Sequence, residues 1–409
     1  MGRFTFETHR GENQEGSLFD TARDVFPPLT GPEWYKTRGF KEIGLIYGTT
    51  EESYRKTTAL INRIRHQAGA TPGRTLREAS QSEGQRIMEY LEQQAKTILQ
   101  AHHFTPEGRP AEAAILGQLT EPAVMSCQSV AQAIAACPVS PPDRRQIKHN
   151  PVVYENPEET VNISVDDVGA KKQKEHRDPQ AKGQRPAAET KYVHTTVAHI
   201  EHGGNSYTLA GGSVVGVLRL VIAFVLHNGL LKYRLQFFVD GPRTLQAAIL
   251  HALAWVSNLG LILDWYHLEE KCQMQLSLAM KGRAIRNQVL KQVTHWLWYG
   301  GCDRAIAGLH QVDPAHIKNK KEFDKLIGYI ERNKPYIPCY AVRKHLGLRN
   351  SSNRGEKMND LVVSERQKHQ GMSWSRSGSV ALAVLTALKI NQEHPQWFEK
   401  GEIDFKLAA

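Results

Sequence analysis

The chain has 409 residues, of which 52 are Lys or Arg and 42 are Asp or Glu, and its formal net charge at pH 7 is +10. Such a chain is long enough for more than one domain, and its positive charge favours polyanionic partners, nucleic acid first among them. The 5 cysteines include no C-x-x-C pair, which excludes a disulfide framework and a zinc knuckle and is typical of a reducing compartment.

Nothing in the sequence predicts secretion or insertion into a membrane. The N-terminal residues MGRFTFETHRGENQ have no apolar stretch of the kind that signal peptides carry. The longest apolar run, residues 214–226, is short for a membrane span and contains Arg219. We therefore expect a cytoplasmic protein with no membrane partner.

Residues 1–150 have the pattern of a mostly helical region. A short helix is predicted to end near Gly48, and Thr50 is well placed to cap the next helix, over residues 53–67. The apolar residues at helical spacing in this second helix are Leu60, Ile61 and Ile64. Two short helices joined by a glycine turn form a candidate helix-turn-helix.

The second of these helices is basic. Its basic residues are Arg55, Lys56, Arg63 and Arg65. Cationic side chains on one exposed helix face neutralise DNA phosphates, so we predict that this helix binds DNA. A longer amphipathic helix follows over residues 77–100, and the Pro-rich residues 137–151 are predicted to form a linker.

After the linker, the pattern predicts a mixed sheet flanked by helices. The predicted order is a strand over residues 159–169, a hairpin turning at Gly203-Gly204, a helix over residues 214–226, a strand ending at Asp240, a helix, and a strand carrying Asp264. The basic, low-complexity residues between the first strand and the hairpin are predicted to be mobile. From residue 268 to about residue 340 the pattern is helical, and two more helices follow.

Carboxylates stand at the ends of two strands of this predicted sheet, Asp166 on the first strand and Asp240 on the fourth. These two strands can be neighbours, which would bring both carboxylates to one edge of the sheet. Mg²⁺ prefers hard oxygen ligands of this kind, together with phosphate oxygens and water. Glu356, on a later helix, would complete a two-metal site for displacement at phosphorus.

Four segments of the chain resemble the DDE transposases of bacterial insertion sequences, which have an RNase H-like, Mutator-like catalytic core. The segments are SVDDVGAKKQ, FFVDGPRTLQAAI, LILDWYHLEEK and GEKMNDLVVSERQKHQGMSWSRSGS. The resemblance extends over residues 161–388. It implies an α/β fold with an RNase H-like mixed sheet, an all-helical insertion between the last strand and the catalytic glutamate, and a mostly helical DNA-binding region before the sheet.

The resemblance also implies the domain limits and the roles of individual residues. Residues 1–150 would bind DNA, residues 151–267 and 341–409 would form the core, and residues 268–340 would be the insertion. The catalytic and metal-binding triad would be Asp166, Asp240 and Glu356, with Mg²⁺ or Mn²⁺ as cofactor. The residues expected to brace the cleft are Asp264 and His267, and those expected to hold the DNA backbone beside it are Lys171, Lys172 and Arg366.

Several neighbouring residues leave alternatives open. Alternate residues of a strand face opposite ways, so only one of Asp166 and Asp167 can face the metals, and Asp166 is chosen. Asp360, one helical turn after Glu356, can share its face, and Glu365 is expected on the surface. Two tryptophans of the helical segment can be core residues or can stack on an unpaired base, namely Trp296 and Trp298.

The function that these patterns indicate is DNA transposition by a cytoplasmic, nucleoid-associated enzyme. The chain would bind the terminal repeats of its element, cut the ends and join the 3′ hydroxyls to target DNA, and it would act as a homo-oligomer on double-stranded DNA. A structure-specific RNase H-like nuclease is the enzymatic alternative. A catalytically silent DNA-binding regulator is the alternative from another class.

Overall fold

A computed structural model of the chain describes residues 10–12, 18–20, 38–64, 66, 71–111, 124–140, 144, 147, 154–173, 191–241 and 243–407. Arg65, most of the predicted linker and most of the predicted mobile basic insert lie outside these residues. The described chain is α/β and contains a mixed five-stranded sheet. No helix in its described part combines the length and the apolar character that crossing a membrane requires.

The central sheet has the spatial order β3-β2-β1-β4-β5. Its strands are β1 (Thr160–Lys171), β2 (Tyr192–His202), β3 (Asn205–Gly211), β4 (Arg234–Val239) and β5 (Leu259–Leu263). β1, β2 and β3 pair antiparallel, whereas β4 pairs parallel with both β1 and β5. The predicted order of elements, the hairpin turn and the adjacency of the first and fourth strands are confirmed. A separate small hairpin pairs Arg10–Glu12 with Leu18–Asp20.

Two kinds of apolar pattern produce these strands. In β1, Val161, Ile163 and Val165 alternate with more exposed polar residues, as expected for a strand with one face in the core. In β4 the run from Leu235 to Val239 is buried throughout, which is typical of a parallel strand covered on both faces. The first pattern leaves one face of β1 free to carry polar side chains.

Helices precede the sheet and pack on it. They are α1 (Arg38–Glu42), continued by a π-helical segment (Ile43–Gly48), α2 (Tyr54–Ile64), α3 (Gly73–Ala101) and α4 (Cys127–Ala136). Leu45, Ile87 and Ile98 belong to the same hydrophobic core as Val161 of the sheet and Leu382 of a C-terminal helix. The predicted boundary at residue 150 therefore does not separate two hydrophobic cores.

The predicted end of the first helix at Gly48 is confirmed, but the predicted cap of α2 is wrong, and of its predicted apolar residues only Ile61 is buried. The Thr50 hydroxyl donates to the Ile46 carbonyl of the preceding segment, and Ser53 Oγ instead accepts from the first turn of α2. Leu60 and Ile64 are 58% and 46% exposed. The helix packs through Ile61 and through Tyr54, Thr57 and Thr58. A search for apolar residues at helical spacing does not identify the two threonines.

The helices that follow β3 and β4 cover the sheet, and those that follow β5 form a second core together with Phe238, Ile262 and Leu263 of the sheet. The first group is α5 (Val214–His227) and α6 (Arg243–Ala252). The second group is α7 (Trp265–Ala279), α8 (Arg283–Trp298), α9 (Cys302–His310), α10 (Lys320–Asn333) and α11 (Tyr340–His345). The prediction that residues 268–340 are helical is confirmed, and Leu276, Leu297 and Leu326 lie in this second core.

The last helices complete the packing on the sheet. α12 (Asn353–Asn359) continues through a π-helical segment (Asp360–Ser364) into a final turn (Glu365–Gln367). It is followed by α13 (Arg376–Ile390) and α14 (His394–Lys400), of which α14 was not predicted. α12 lies against β1 and β2, which brings Glu356 over the sheet.

Candidate active site

The pairing of β1 with β4 brings Asp166 and Asp240 to the same level of the sheet. The last parallel pair is Ser164 with Phe238, and each aspartate lies two residues after it. Asp240 directly follows the end of β4, as predicted. Asp166 does not end its strand, because β1 continues to Lys171 while paired with β2.

The two acids of the Asp166-Asp167 pair face opposite sides of β1. Asp166 Oδ2 accepts a hydrogen bond of 2.9 Å from Asn359 of α12. Asp167 is exposed and accepts from the Thr196 hydroxyl at 3.0 Å, with His194 Nδ1 at 3.4 Å. Only Asp166 therefore faces the helix that carries Glu356.

α12 approaches β1 closely because residue 355 is a glycine. A Cβ atom at Gly355 would lie 2.6 Å from Ser164 Cβ and closer still to its hydroxyl oxygen. No side chain fits in that space, so the helix carrying Glu356 rests directly on the strand carrying Asp166. The position directly after Asp240 also requires a glycine. Gly241 has a φ of +93°, and a Cβ atom there would lie 2.6 Å from the Tyr329 hydroxyl oxygen of α10.

Asp264 connects the starts of two helices. One of its oxygens caps α7 by accepting from the backbone N–H groups of Tyr266 and His267, at 2.7 and 3.2 Å. The other accepts from the backbone and the hydroxyl of Ser352, just before α12. This fully buried carboxylate thus fixes His267 and the α12 start relative to β5.

His267 lies between the carboxylates. Its Nε2 is 3.2 Å from Asp240 Oδ1 and 3.0 Å from Glu356 Oε1. This nitrogen is buried, yet it makes no hydrogen bond of acceptable angle to either oxygen or to any other described atom. Two carboxylates and one imidazole nitrogen therefore converge without satisfying one another, and an unsatisfied buried group of this kind is typical of a ligand-binding position.

Burial raises the pKa of both acids around His267. Burial, reinforced by the carboxylate of Asp166, raises the pKa of Asp240 to about 7, although His267 opposes the shift. Burial also raises the pKa of Glu356. Burial alone would lower the pKa of His267, but the surrounding carboxylates, Asp240 first, outweigh it and raise that pKa. A bound cation would favour the ionised acids.

The donor atoms fit a hard divalent cation. Asp166, Asp240 and Glu356 offer carboxylate oxygens, which Mg²⁺ and Mn²⁺ prefer, and His267 offers a nitrogen that Mn²⁺ also accepts. The nearest ligand atoms of Asp264, His267 and Glu356 lie within 4.8 Å of one another. Asp264 is nevertheless a poor ligand, because four hydrogen-bond donors already occupy its two oxygens.

Two contributors to this site were not recognised in the sequence, and one was given a smaller role. Asn359 rather than Asp360 contacts Asp166, and its spacing of three residues from Glu356 is the signal that could have identified it. Ser352 had no local signal, because its partner Asp264 is 88 residues away. His267 was expected only to brace the cleft.

Arg366 is a correction to the predicted DNA contacts. Its side chain is 1% exposed, its Nε donates to the Thr49 carbonyl, and its guanidinium packs between the rings of Tyr54 and Trp374. Thr49 and Tyr54 from the N-terminal helices and the nearby Trp374 thus enclose the charge. In this structure Arg366 joins α12 to the N-terminal helices and is not available to DNA.

The other predicted contact residues lie at the surface or outside the described chain. The exposed ones are Arg55, Lys56, Arg63 and Lys171, whereas Lys172 is half-buried and Arg65 is not described. The two acids that follow Glu356, Asp360 and Glu365, are also exposed. Lys56 forms an exposed ion pair of 2.9 Å with Glu52. Trp298 packs on Trp265 and Tyr340 inside the helical segment, which favours its interpretation as a core residue. Half-buried Trp296 lies against the same core and under Arg304.

Searches of protein-family models, curated proteins and solved structures found no match to this chain.

Proposed function

We propose that this protein is a DDE-type DNA transposase, a metal-dependent enzyme that cleaves and transfers DNA strands. The observation that carries the proposal is the convergence of Asp240 and Glu356 on His267, with Asp166 at the same level of the neighbouring strand. Clustered carboxylates with raised pKa values at the carboxyl end of parallel strands are typical of a functional site.

The fold is consistent with the finer architecture that the sequence resemblance implies. The resemblance implies a mixed sheet, and in this sheet β1 to β3 pair antiparallel whereas β4 pairs parallel with β1 and β5. The helices between β5 and α12 occupy the place of the expected all-helical insertion. We infer that residues 268–340 are this insertion.

In this proposal, Asp166, Asp240 and Glu356 hold two Mg²⁺ ions, or Mn²⁺ in their place. The ions supply an activated attacking oxygen and a stabilised leaving oxygen for in-line displacement at phosphorus. Glu356 reaches the site because Gly355 seats α12 on β1, and Asp264 fixes the direction of approach. His267 Nε2, at 3.2 Å from Asp240 Oδ1 and 3.0 Å from Glu356 Oε1, would be a neighbouring donor atom for such an ion.

The proposed partner is double-stranded DNA, at the element ends and at the target. Arg55, Lys56 and Arg63 on the exposed face of α2 are proposed to contact the ends. Their exposure and the net charge of +10 support this assignment. Pairing of two DNA ends would require a homo-oligomer, and the protein would act on the nucleoid.

Asp240→Asn tests the chemistry apart from DNA binding. This change keeps the shape of the side chain and removes the charge that holds the metal, so cleavage and strand transfer should be lost while end binding is retained. The substrate is a plasmid carrying the inverted repeats that flank the coding region, with Mg²⁺ or Mn²⁺. Binding is measured by gel shift, and cleavage and joining by product analysis.

Asp167→Asn is the matched control, because Asp167 is the neighbouring acid on the opposite face of β1. It should retain wild-type cleavage. Cleavage without joining by the wild-type enzyme would indicate a structure-specific nuclease, and end binding without cleavage would indicate a regulator. Wild-type cleavage by Asp240→Asn would exclude Asp240 as a metal ligand.

A further inference from the structure

A polar groove lies beside the start of α12, where Asn353, Arg354 and Gly355 line it. Two adjoining cavities, of about 210 and 260 Å³, share the side chains of Asn162, Glu201, Arg349 and Arg354 and so form a single groove. The groove runs from the turn between β2 and β3, along β1, to Gly355. We call it the β1 groove.

The β1 groove ends beside the acids. Asn162, Ser164 and Asp166 are alternate residues of β1 and therefore share one face of the strand. The first two line the groove, and Asp166 is the next residue along that face, about 7 Å farther for two residues of strand. The contact of Gly355 with Ser164 separates the groove from Asp166, so a polymer that reaches both must pass over the start of α12, where the exposed Arg354 lies two residues before Glu356.

Two arginines in the groove share one carboxylate. Glu201 is 6% exposed, and both Arg349 and Arg354 donate to it, Arg354 from Nη1 at 2.7 Å. The Arg354 side chain is 65% exposed, so most of its donors face solvent in the groove. One carboxylate cannot neutralise two guanidinium groups, and an excess positive charge remains at this point.

The other titratable groups of the groove leave this excess in place. Glu155 is neutralised by a buried bidentate pair with Arg343, at 2.9 and 2.7 Å. Burial lowers the pKa of His199, which lies behind Glu201 and adds no further charge at neutral pH. Glu158 lines the outer cavity only, and His202 beside it is half-buried. The inner end, next to Ser164 and Gly355, is therefore the cationic end.

We propose that the β1 groove binds the phosphodiester backbone of the DNA strand adjacent to the bond that is cleaved, through Arg354 and Arg349. The proposal rests on the proposed function, which places a scissile phosphate at Asp166. A guanidinium fork matches the oxygens of a phosphodiester, and the amide and hydroxyl groups of Asn353 and Ser351 add neutral donors. The strand would thereby enter the site over the start of α12.

The test is binding of a short, fluorescein-labelled single-stranded oligodeoxynucleotide, followed by anisotropy across a series of NaCl concentrations. Measurements in EDTA exclude any contribution of the metal site, and a parallel series contains Ca²⁺. Arg354→Gln should weaken binding roughly tenfold and lower the salt slope by about one. Arg354→Lys keeps the charge without the fork, so it should restore the slope and only part of the affinity.

Glu201→Gln should change affinity in the opposite direction. It removes the carboxylate that competes with phosphate for Arg349 and Arg354, so the protein should bind the oligonucleotide more tightly. Arg74→Gln is the remote control, since Arg74 is exposed on α3 and paired with Glu78. If Glu201→Gln fails to fold, the comparison of Arg354→Gln with Arg354→Lys still decides, because an exposed Arg354 side chain is not required for folding.

The proposal is overturned if Arg354→Gln binds the oligonucleotide with wild-type affinity and salt slope in EDTA and in Ca²⁺. Inorganic phosphate added as a competitor identifies the ligand class. Equal competition in wild-type and Arg354→Gln proteins would place the phosphate contact elsewhere. An inactive wild-type enzyme with an intact Arg354 effect would reject the transposase proposal and leave the groove as a binding site.

Discussion

Gly355→Ala should disturb the candidate active site, because it adds a methyl group between α12 and β1. The added Cβ would lie 2.6 Å from Ser164 Cβ, whereas unstrained carbon atoms are about 3.5–4.0 Å apart. Helix α12 must therefore move away from β1 by roughly 1 Å. This movement carries Glu356 away from Asp166, which lies two residues beyond Ser164 on the same face of the strand.

The magnitude follows from two opposing effects. Overpacking of this kind costs about 1–3 kcal/mol, and replacement of a helical glycine by alanine returns about 0.5–1 kcal/mol. We expect a net loss of roughly 1–2 kcal/mol in the free energy of unfolding, seen as a fall of a few degrees in Tm. A displacement of about 1 Å at the reacting groups should lower the cleavage rate about 100-fold.

The assay combines thermal unfolding, Mn²⁺ titration calorimetry and DNA cleavage. Gly308→Ala is the matched control, because Gly308 lies in helix α9 and a Cβ there meets nothing nearer than 3.7 Å. Ser164→Gly in the Gly355→Ala background removes the colliding side chain and should restore part of the Mn²⁺ affinity. Wild-type Tm and Mn²⁺ affinity for Gly355→Ala would refute the close packing of α12 on β1.

Three further changes test other parts of the structure. Burial raises the pKa of Glu393 from 4.5 to about 7, so its contribution to stability is complete at low pH and is lost as the pH rises through about 7. In urea unfolding, the stability of the wild-type protein should fall between about pH 5 and pH 8. In Glu393→Gln, whose amide can still bond Tyr207, this fall should be smaller by roughly 2–3 kcal/mol. Parallel pH profiles of the two proteins would contradict this. Asp264→Asn places an NH₂ group against N–H donors, so it should cost roughly 2–3 kcal/mol of stability and abolish Mn²⁺ binding. A calorimetric Mn²⁺ titration like that of the wild type would show that Asp264 does not organise the site. The double change of Arg55 and Lys56 to Ala should weaken end binding in gel shifts and reduce its salt dependence, whereas an unchanged slope would move end recognition away from α2.

The sheet and the two aspartates could be predicted because their signals are local or follow from chain order. Alternating and continuous apolar runs predicted the strands, and a crossover helix made the first and fourth strands neighbours. The acids at Asp166 and Asp240 then had to lie near one another. The helices of residues 268–340 were predicted from composition and periodicity in the same way.

The remaining features depend on contacts that sequence neighbours do not reveal. Arg366 has the appearance of a surface residue, and only its bond to Thr49, 317 residues away, and the rings around it explain its burial. The exposure of Leu60 depends on which side of α2 meets the preceding helix. The short helix α14 (His394–Lys400) is too brief for a periodic signal, and the proline at its start resembles a helix breaker.

The burial of Arg366 has a consequence for dissecting this protein into parts. A fragment lacking the residues before 150 would leave this guanidinium without Tyr54 and Thr49, and would uncover the apolar face on which α3 packs. An unpaired buried charge and an exposed core surface both favour aggregation over an independent fold. The N-terminal helices are therefore an integral part of the fold built on the central sheet, and failure of a truncated protein to act would say nothing about DNA recognition.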